Sequence, residues 1–230
     1  MKKEEKIVIN NLKKKVFLLF PLAFVFLSLM FFVPAGTLNY WQAWIFLGVL
    51  FIPVFFVVFY FLKNDPGLLV RRMKFKEKEV QQKAIIKLAN LVSFIGFLIP
   101  GLDYRYGWSN VPASLVIISD IIIFLGYVIV FFVFKENSYT SRVVEVDKKQ
   151  KIVTTGPYSI VRHPMYVGVI LMYLFMPLAL GSYWALIFFL PVIPLIVIRT
   201  LNEEKVLSKG LKGYKQYMKK VKYRLVPGVW

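Results

Sequence analysis

The sequence contains no cysteine and a single histidine among its 230 residues. The absence of cysteine excludes disulfide bonds, thiolate catalysis and metal sites built from cysteine. One histidine and 12 scattered acidic residues do not form a metal-ligand pattern, so we expect no metal site. The chain also lacks a G-x-G-x-x-G loop after a strand pattern, and we therefore expect no Rossmann domain.

Acidic residues are few beside 30 lysines and arginines, which gives a formal net charge of +18, and 58% of the residues are hydrophobic. A basic chain of this kind binds nucleic acid when the charges form one face of a soluble fold. Here the basic residues fall between long apolar runs, which is typical of a membrane protein with its charges on one side. We therefore expect membrane lipids as its surroundings and no nucleic-acid partner.

Four apolar runs are long enough to cross a bilayer, which takes ~20 residues; they cover 16–33, 41–62, 84–102 and 113–134. Two shorter runs, 166–180 and 183–198, follow with a very short link between them, which predicts an antiparallel helical hairpin. The predicted fold class is an all-α integral membrane protein with about six transmembrane helices, the last two a hairpin. We divide the chain into an N-terminal four-helix region, 1–134, and a C-terminal region, 135–230, with a loop, the hairpin and a final cytoplasmic helix.

The lysines and arginines orient these spans. All of them except Lys87 and Arg105 lie in the segments 2–15, 63–83, 135–162 and 199–224. These segments fall on one side of the membrane, and the positive-inside rule identifies that side as the cytoplasm. Both termini of this multi-pass protein are therefore predicted to be cytoplasmic, and the basic segment 65–83 is expected to lie along the anionic inner leaflet.

The polar stretch TTGPYSIVRHPMYVG, at 154–168, precedes the hairpin on the predicted cytoplasmic side. Proline is favoured at the first position of a helix, so we expect a helix to begin at Pro164 with His163 at its mouth. Free backbone N–H groups and the helix dipole bind carboxylates or phosphates at such a mouth. A Gly-Pro turn brings Tyr158 and Arg162 close to it. The alternative is that His163 only caps the helix and Arg162 only anchors a lipid headgroup.

A second polar cluster follows the hairpin. Arg199 and Glu203 are four residues apart and share one face of a helix. By themselves they are compatible with a snorkelling arginine and a solvated ion pair. The short link, however, brings the two ends of the hairpin side by side, so that both residues meet His163. Convergence of such different polar groups predicts a binding site.

These motifs together resemble the isoprenylcysteine carboxyl methyltransferase family. The resemblance rests on GPYSIVRHPMYVG, the hairpin, and then R…EE..L and Y..Y…V..RL.PG, and it extends from Glu145 to Gly228. The stretches GLDYRYGWSNVP and DPGLLVRR resemble prokaryotic members, which implies a prokaryotic cell membrane. The RHPxYxG element alone is less specific, because membrane phospholipid methyltransferases and sterol reductases have similar versions.

The resemblance implies that the C-terminal region is catalytic and that the cofactor is S-adenosyl-L-methionine. The positions that it assigns to the cofactor are Glu145 (a glutamine in the family), Gln150, Lys151, Ile152, Val153, Tyr158, His163, Pro164, Met165, Tyr166 and Glu203. Among these, His163 suits the cofactor's carboxylate, and Glu203 suits its amine or its ribose hydroxyls. Tyr158 or Tyr166 suits the sulfonium through a cation–π contact.

Arg199 falls at the position of the family's catalytic arginine. The resemblance implies methyl transfer to a lipophilic or lipidated acceptor that enters from the bilayer, above all a prenylcysteine-like carboxylate. A carboxylate acceptor needs no general base, and bidentate hydrogen bonds from Arg199 would position it.

Other functions are compatible with the same residues. A lipid headgroup N-methyltransferase is one, and an NADPH-dependent membrane reductase of the sterol-reductase type is another. A non-enzymatic membrane protein or transporter is favoured only by Asp120, since acids within membrane spans often mark ion paths. We expect Asp120 instead to hydrogen-bond with Ser119 or with neighbouring backbone.

Overall fold

The computed structural model describes residues 3–73, 80–143, 146 and 150–230. These residues form helices and loops without a β-strand, which confirms the predicted all-α fold. The helices are α1 (Lys3–Ala35), α2 (Trp41–Asn64), α3 (Pro66–Arg72), α4 (Val80–Tyr106), α5 (Ala113–Glu136), α6 (Pro164–Ala179), α7 (Leu186–Phe189), α8 (Val192–Gly210) and α9 (Tyr214–Lys220), with a 3₁₀ turn at Gly156–Ser159.

Within the described ranges, four stretches are long and apolar enough to cross a membrane: Asn10–Ala35, Trp41–Asn64, Ala113–Glu136 and Leu186–Gly210. The apolar helix α6 has 16 residues and is shorter than these. The helix α4 has 27 residues but begins beside residues outside the described ranges. The protein is therefore an all-α membrane protein, while the crossings of α4 and α6, and with them the count of six, stay predictions.

Helices α5 and α6 share the most extensive packing of the fold, and a pair of glycines permits it. A Cβ atom built on Gly168 would lie 2.7 Å from the carbonyl oxygen of Gly126, and one on Gly126 would lie 2.9 Å from that of Gly168. Small residues allow membrane helices to approach this closely. The contact fixes the position of α6 against α5. It joins the two predicted regions, 1–134 and 135–230, and the boundary between them stays a prediction.

The hairpin has the predicted short link but a different return helix. Gly181 has a φ of +72°, and the hydroxyl of Ser182 donates to the carboxylate of Asp103 in α4, which holds the turn in place. The return is divided into α7 and α8, with Pro191 just before α8, because proline lacks the N–H that would continue the helix. Helix α8 then runs to Gly210, past the end of the apolar run at residue 198, so that Arg199 and Glu203 lie inside one helix, as their spacing predicts.

The segment after α9 folds back onto the start of α6. The backbone N–H of Arg162 donates to the carbonyl oxygen of Tyr223 at 2.9 Å, and that of His163 donates to the carbonyl oxygen of Arg224 at 3.0 Å. These two bonds tie the end of the chain to the polar stretch before the hairpin. They therefore help to position the mouth of α6.

The expectation for Asp120 is wrong. The carboxylate is buried in α5, and neither of its oxygens has a hydrogen-bond partner among the described residues. The hydroxyl of Ser119 donates instead to the carbonyl oxygen of Leu115 at 2.7 Å, because a helical serine reaches the carbonyl four residues earlier more readily than its neighbour.

Candidate functional site

A cleft with about 810 Å³ of empty space opens at the N-terminal end of α6. Its walls come from the loop after α5, the segment 150–153, the 3₁₀ turn, the start of α6, α8 and α9. The predicted cofactor residues that line it are Gln150, Lys151, Ile152, Val153, Tyr158, His163, Pro164, Met165, Tyr166 and Glu203. The remaining one, Glu145, lies outside the described residues.

Helix α6 begins at Pro164 with His163 as the residue before it, as the position of the proline predicts. The imidazole is buried and nearly parallel to the ring of Tyr166, with 5.8 Å between the ring centroids. Its Nε2 atom lies 3.3 Å from Oε1 of Glu204. One ring nitrogen of the residue before α6 thus contacts a protein carboxylate.

The hydroxyl of Tyr166 joins the two ends of the hairpin. It donates to Oε2 of Glu203 at 2.6 Å, and it accepts from Nε of Arg199 at 2.9 Å. Nη2 of Arg199 also donates to the carbonyl oxygen of Arg142 at 2.7 Å. The predicted convergence of the hairpin ends is therefore present, with Tyr166 as the link between the two charged side chains.

Glu204 is a charged residue that our sequence reasoning missed. Its buried carboxylate accepts from Nε of Arg162 at 2.6 Å and from Nε of Arg224 at 2.9 Å. Arg162 also donates to the carbonyl oxygens of Val221 and Lys222, at 2.8 and 2.9 Å. Arg162 is thus a buried residue that holds the end of the chain, and the alternative of a headgroup anchor is wrong. The paired glutamates of the R…EE..L motif were the available signal, because adjacent helical residues face different surroundings.

Tyr158 is held from two sides in the wall of the cleft. Its hydroxyl accepts from Nδ2 of Asn137 at 3.0 Å, and its carbonyl oxygen accepts from the hydroxyl of Tyr217 at 2.7 Å. Burial raises the pKa of the Tyr158 phenol well above its ordinary value. The phenol is therefore neutral at physiological pH and offers an uncharged ring to a cation.

A second cavity, with about 890 Å³ of empty space, lies behind the cleft. The two share Ser141, Met165 and Tyr166 as a common wall. The apolar part of its lining comes from α6 and α8: Val169, Tyr173, Val192, Leu195 and Ile196. Its charged part consists of Arg72, Arg142 and Arg199. Arg199, the predicted catalytic residue, thus lines this cavity, whereas Glu203 lines the cleft.

Fold and site together describe a helical membrane protein with a polar cleft beside a largely apolar cavity. Residues 115–213 match the family model described as Phospholipid methyltransferase. This segment runs from α5 to the residue before α9 and includes Tyr158, His163, Tyr166, Arg199 and Glu203. The match indicates a membrane methyltransferase, in the same group as the isoprenylcysteine carboxyl methyltransferases, without selecting that family. No curated protein matches the chain.

Proposed function

We propose that the protein is an S-adenosyl-L-methionine-dependent methyltransferase whose acceptor is a lipophilic molecule from the bilayer, with a prenylcysteine-like carboxylate as the first candidate. The observation that carries this proposal is the shared wall of the two cavities. Met165 and Tyr166 line both, with Glu203 on the side of the polar cleft and Arg199 on the side of the apolar cavity. A water-soluble cofactor and a lipid-soluble acceptor would need such an arrangement.

The cleft offers a suitable partner for each polar or charged group of the cofactor. Glu203 provides a carboxylate for an amine or for ribose hydroxyls, and Tyr158 provides a neutral ring for a cation. The mouth of α6 beside His163 suits a carboxylate, since the positive end of the helix dipole favours an anion there. Bound S-adenosyl-L-methionine would supply an electrophilic methyl group on its sulfonium.

The contribution of the protein would be alignment and the exclusion of water. Arg199 is held by Tyr166 and by the carbonyl oxygen of Arg142, which restricts its guanidinium to one orientation. A guanidinium held in this way can orient an acceptor carboxylate through two parallel hydrogen bonds. A bound lipophilic acceptor among the apolar side chains of this cavity would keep water away, and such orientation and exclusion account for much of the rate enhancement in displacement reactions.

A lipid headgroup N-methyltransferase is the second candidate, because the matched family model is that of phospholipid methyltransferases. Its acceptor would be an amine, which is cationic in its resting form. Arg72, which lines the second cavity and forms no ion pair with a carboxylate among the described residues, would repel such a cation. The carboxylate acceptor is therefore the better fit to this cavity.

Ligand titration tests the proposal. The purified protein is titrated with S-adenosylhomocysteine and, separately, with NADPH, the cofactor of the reductase alternative. We expect saturable binding of S-adenosylhomocysteine only. Binding of NADPH alone would favour the reductase and refute the transferase. An untargeted comparison of lipid extracts from membranes with and without the protein would then identify the methylated product.

A further inference from the structure

Arg72, the last residue of α3, is a half-buried cation whose direct contacts in the described part of the chain are all with neutral groups. Its Nη1 donates to the carbonyl oxygen of Ser141 at 3.1 Å and lies 3.7 Å from Sδ of Met165. Its Cζ lies 5.1 Å from the centroid of the Phe134 ring. Among the residues that the structure describes, it forms no ion pair with a carboxylate.

Arg72 lines the second cavity together with Arg142 and Arg199, which come from other parts of the chain. Burial is the main cause that lowers the pKa of the Arg72 guanidinium from its ordinary value; Arg142 and Arg199 lower it further, whereas Tyr166 and Glu203 act in the opposite direction. Desolvation and like charges both disfavour the charged form. An anion in the cavity would remove this penalty.

The preceding residue, Arg71, shows what a purely structural arginine looks like in the same helix. Its Nε donates to the carbonyl oxygen of Ser138 at 2.6 Å, and its Nη2 lies 3.8 Å from Oδ1 of Asp65. Both arginines therefore hold the loop after α5 through one of its carbonyl oxygens. Arg71 has a carboxylate partner, however, and it is not part of the lining of the second cavity. The comparison with Arg71 shows that an arginine can hold the loop after α5 without lining the cavity. The position of Arg72 in the cavity lining therefore calls for a separate explanation.

We propose that Arg72 determines acceptor specificity by selecting a lipophilic molecule with an anionic group, a carboxylate or a phosphate, over one whose polar end is an amine. This inference rests on the proposed function and deepens it. Arg72 would bind the anionic group together with Arg199, while the apolar lining from α6 and α8 would contact the lipophilic part. Helix α3, which our sequence reasoning treated as part of a surface segment, would then belong to the acceptor site.

The test compares four amphiphiles with the same twelve-carbon chain: dodecanoate, dodecyl phosphate, dodecanol and dodecylamine. Their binding to the full-length protein is measured by titration calorimetry at one fixed concentration of non-ionic detergent. Partitioning into the micelles is then the same for every variant. We expect the wild type to prefer an anionic amphiphile to both dodecanol and dodecylamine. The stronger of the two anionic ligands identifies the headgroup chemistry.

Arg72→Gln should lower the affinity for the preferred anion by roughly tenfold or more, which is typical of a lost charge-assisted hydrogen bond. The affinity for dodecanol should not change. Arg72→Lys should retain part of the preference, since the charge remains and the planar geometry does not; it also serves if Arg72→Gln does not fold. Arg71→Gln is the matched control and should keep the wild-type preference.

Two results would overturn the inference: an Arg72→Gln variant that keeps the preference, or an Arg71→Gln variant that loses it equally. Binding of S-adenosylhomocysteine is measured in the same samples and should persist in Arg72→Gln. A wild type that prefers anionic amphiphiles but does not bind S-adenosylhomocysteine would refute the proposed function, with the anion selectivity of the cavity still established.

Discussion

Glu203 and Glu204 are adjacent in α8, yet their carboxylates belong to separate networks. Glu203 accepts from the hydroxyl of Tyr166 in the cleft, whereas Glu204 is buried against Arg162 and Arg224. Successive helical residues are rotated by roughly 100°, so one pair of glutamates serves both the ligand cleft and the anchoring of the chain's end. Glu203 therefore faces the ligand cleft, whereas Glu204 anchors the end of the chain and contacts the cleft only through Arg162 and Nε2 of His163.

The first prediction concerns Glu203→Gln. The variant should weaken binding of S-adenosylhomocysteine by about 1–3 kcal/mol, because it removes one charge-assisted hydrogen-bond acceptor from the cleft. Titration calorimetry measures the change, and the unfolding midpoint should stay near that of the wild type. Unchanged affinity in a folded variant would exclude Glu203 from the cofactor site.

The second prediction is that Glu204→Gln acts mainly on stability. The change leaves Arg162 and Arg224 without their shared carboxylate, and removal of one partner from a buried ion pair costs about 3–5 kcal/mol. We expect a clearly lower unfolding midpoint in detergent than for Glu203→Gln, measured by thermal denaturation. A wild-type midpoint would show that the network does not stabilise the fold.

A third prediction separates transfer from cofactor binding. Arg199→Ala and Arg199→Lys should both abolish methyl transfer and still bind S-adenosylhomocysteine, because Arg199 lines the second cavity and not the cleft. A lysine supplies a point charge without the planar pair of donors. Incorporation of a labelled methyl group into lipid extracts provides the activity measurement. Full activity of Arg199→Lys would refute the catalytic role and favour the alternative of a snorkelling arginine at the membrane surface.

The close contact of α5 and α6 can be tested with a pair of matched glycines. Gly168→Ala should lower stability by about 1–3 kcal/mol, because the new methyl group would meet the backbone of Gly126 and push the helices apart. Gly48→Ala in α2 is the control, since an added Cβ there has no neighbour within 4 Å. Thermal unfolding of both variants provides the comparison, and equal midpoints would argue against the contact.

The predicted orientation of the termini can be examined with reporter fusions at Met1 and Trp230. Both reporters should give a cytoplasmic signal, because the basic segments alternate with the apolar runs in a consistent way. An external signal at one end only would contradict an even number of crossings, and external signals at both ends would reverse the predicted orientation. The predicted cytoplasmic position of the cleft at the mouth of α6 would then also be wrong.

Local chemistry made part of the site predictable. Pro164 indicated the start of α6, since its missing N–H and fixed φ suit a first helical position, and the short link predicted that His163 and Glu203 lie together. Glu204 was missed because its partners include Arg224, which reaches it only through the folding back of the chain's end. Such contacts between distant residues leave no periodic signal in the sequence.

Arg72 was misjudged for a related reason. A basic run between two apolar segments normally lies in water or on lipid headgroups. We therefore expected the basic segment 65–83 to lie along the inner leaflet. In the described part of this segment, Arg72 turns towards Ser141 and Met165. Only the tertiary position of the loop after α5 provides these partners, so composition and charge could not reveal them.

The length of α6 has a consequence for the surrounding bilayer. Sixteen residues rise by about 24 Å, several ångströms less than the ~30 Å thickness of a typical hydrocarbon core. The N-terminal end of α6 is hydrogen-bonded to the segment after α9, and the turn after its C-terminal end is held by the hydrogen bond from Ser182 to Asp103. Both ends are therefore fixed relative to the rest of the fold. If α6 crosses the bilayer as predicted, thinning of the lipid beside it would cover this hydrophobic mismatch. A membrane of short-chain lipids would then have a hydrocarbon thickness close to the length of α6. Its headgroups would lie at the level of Tyr166, near the N-terminal end of the helix.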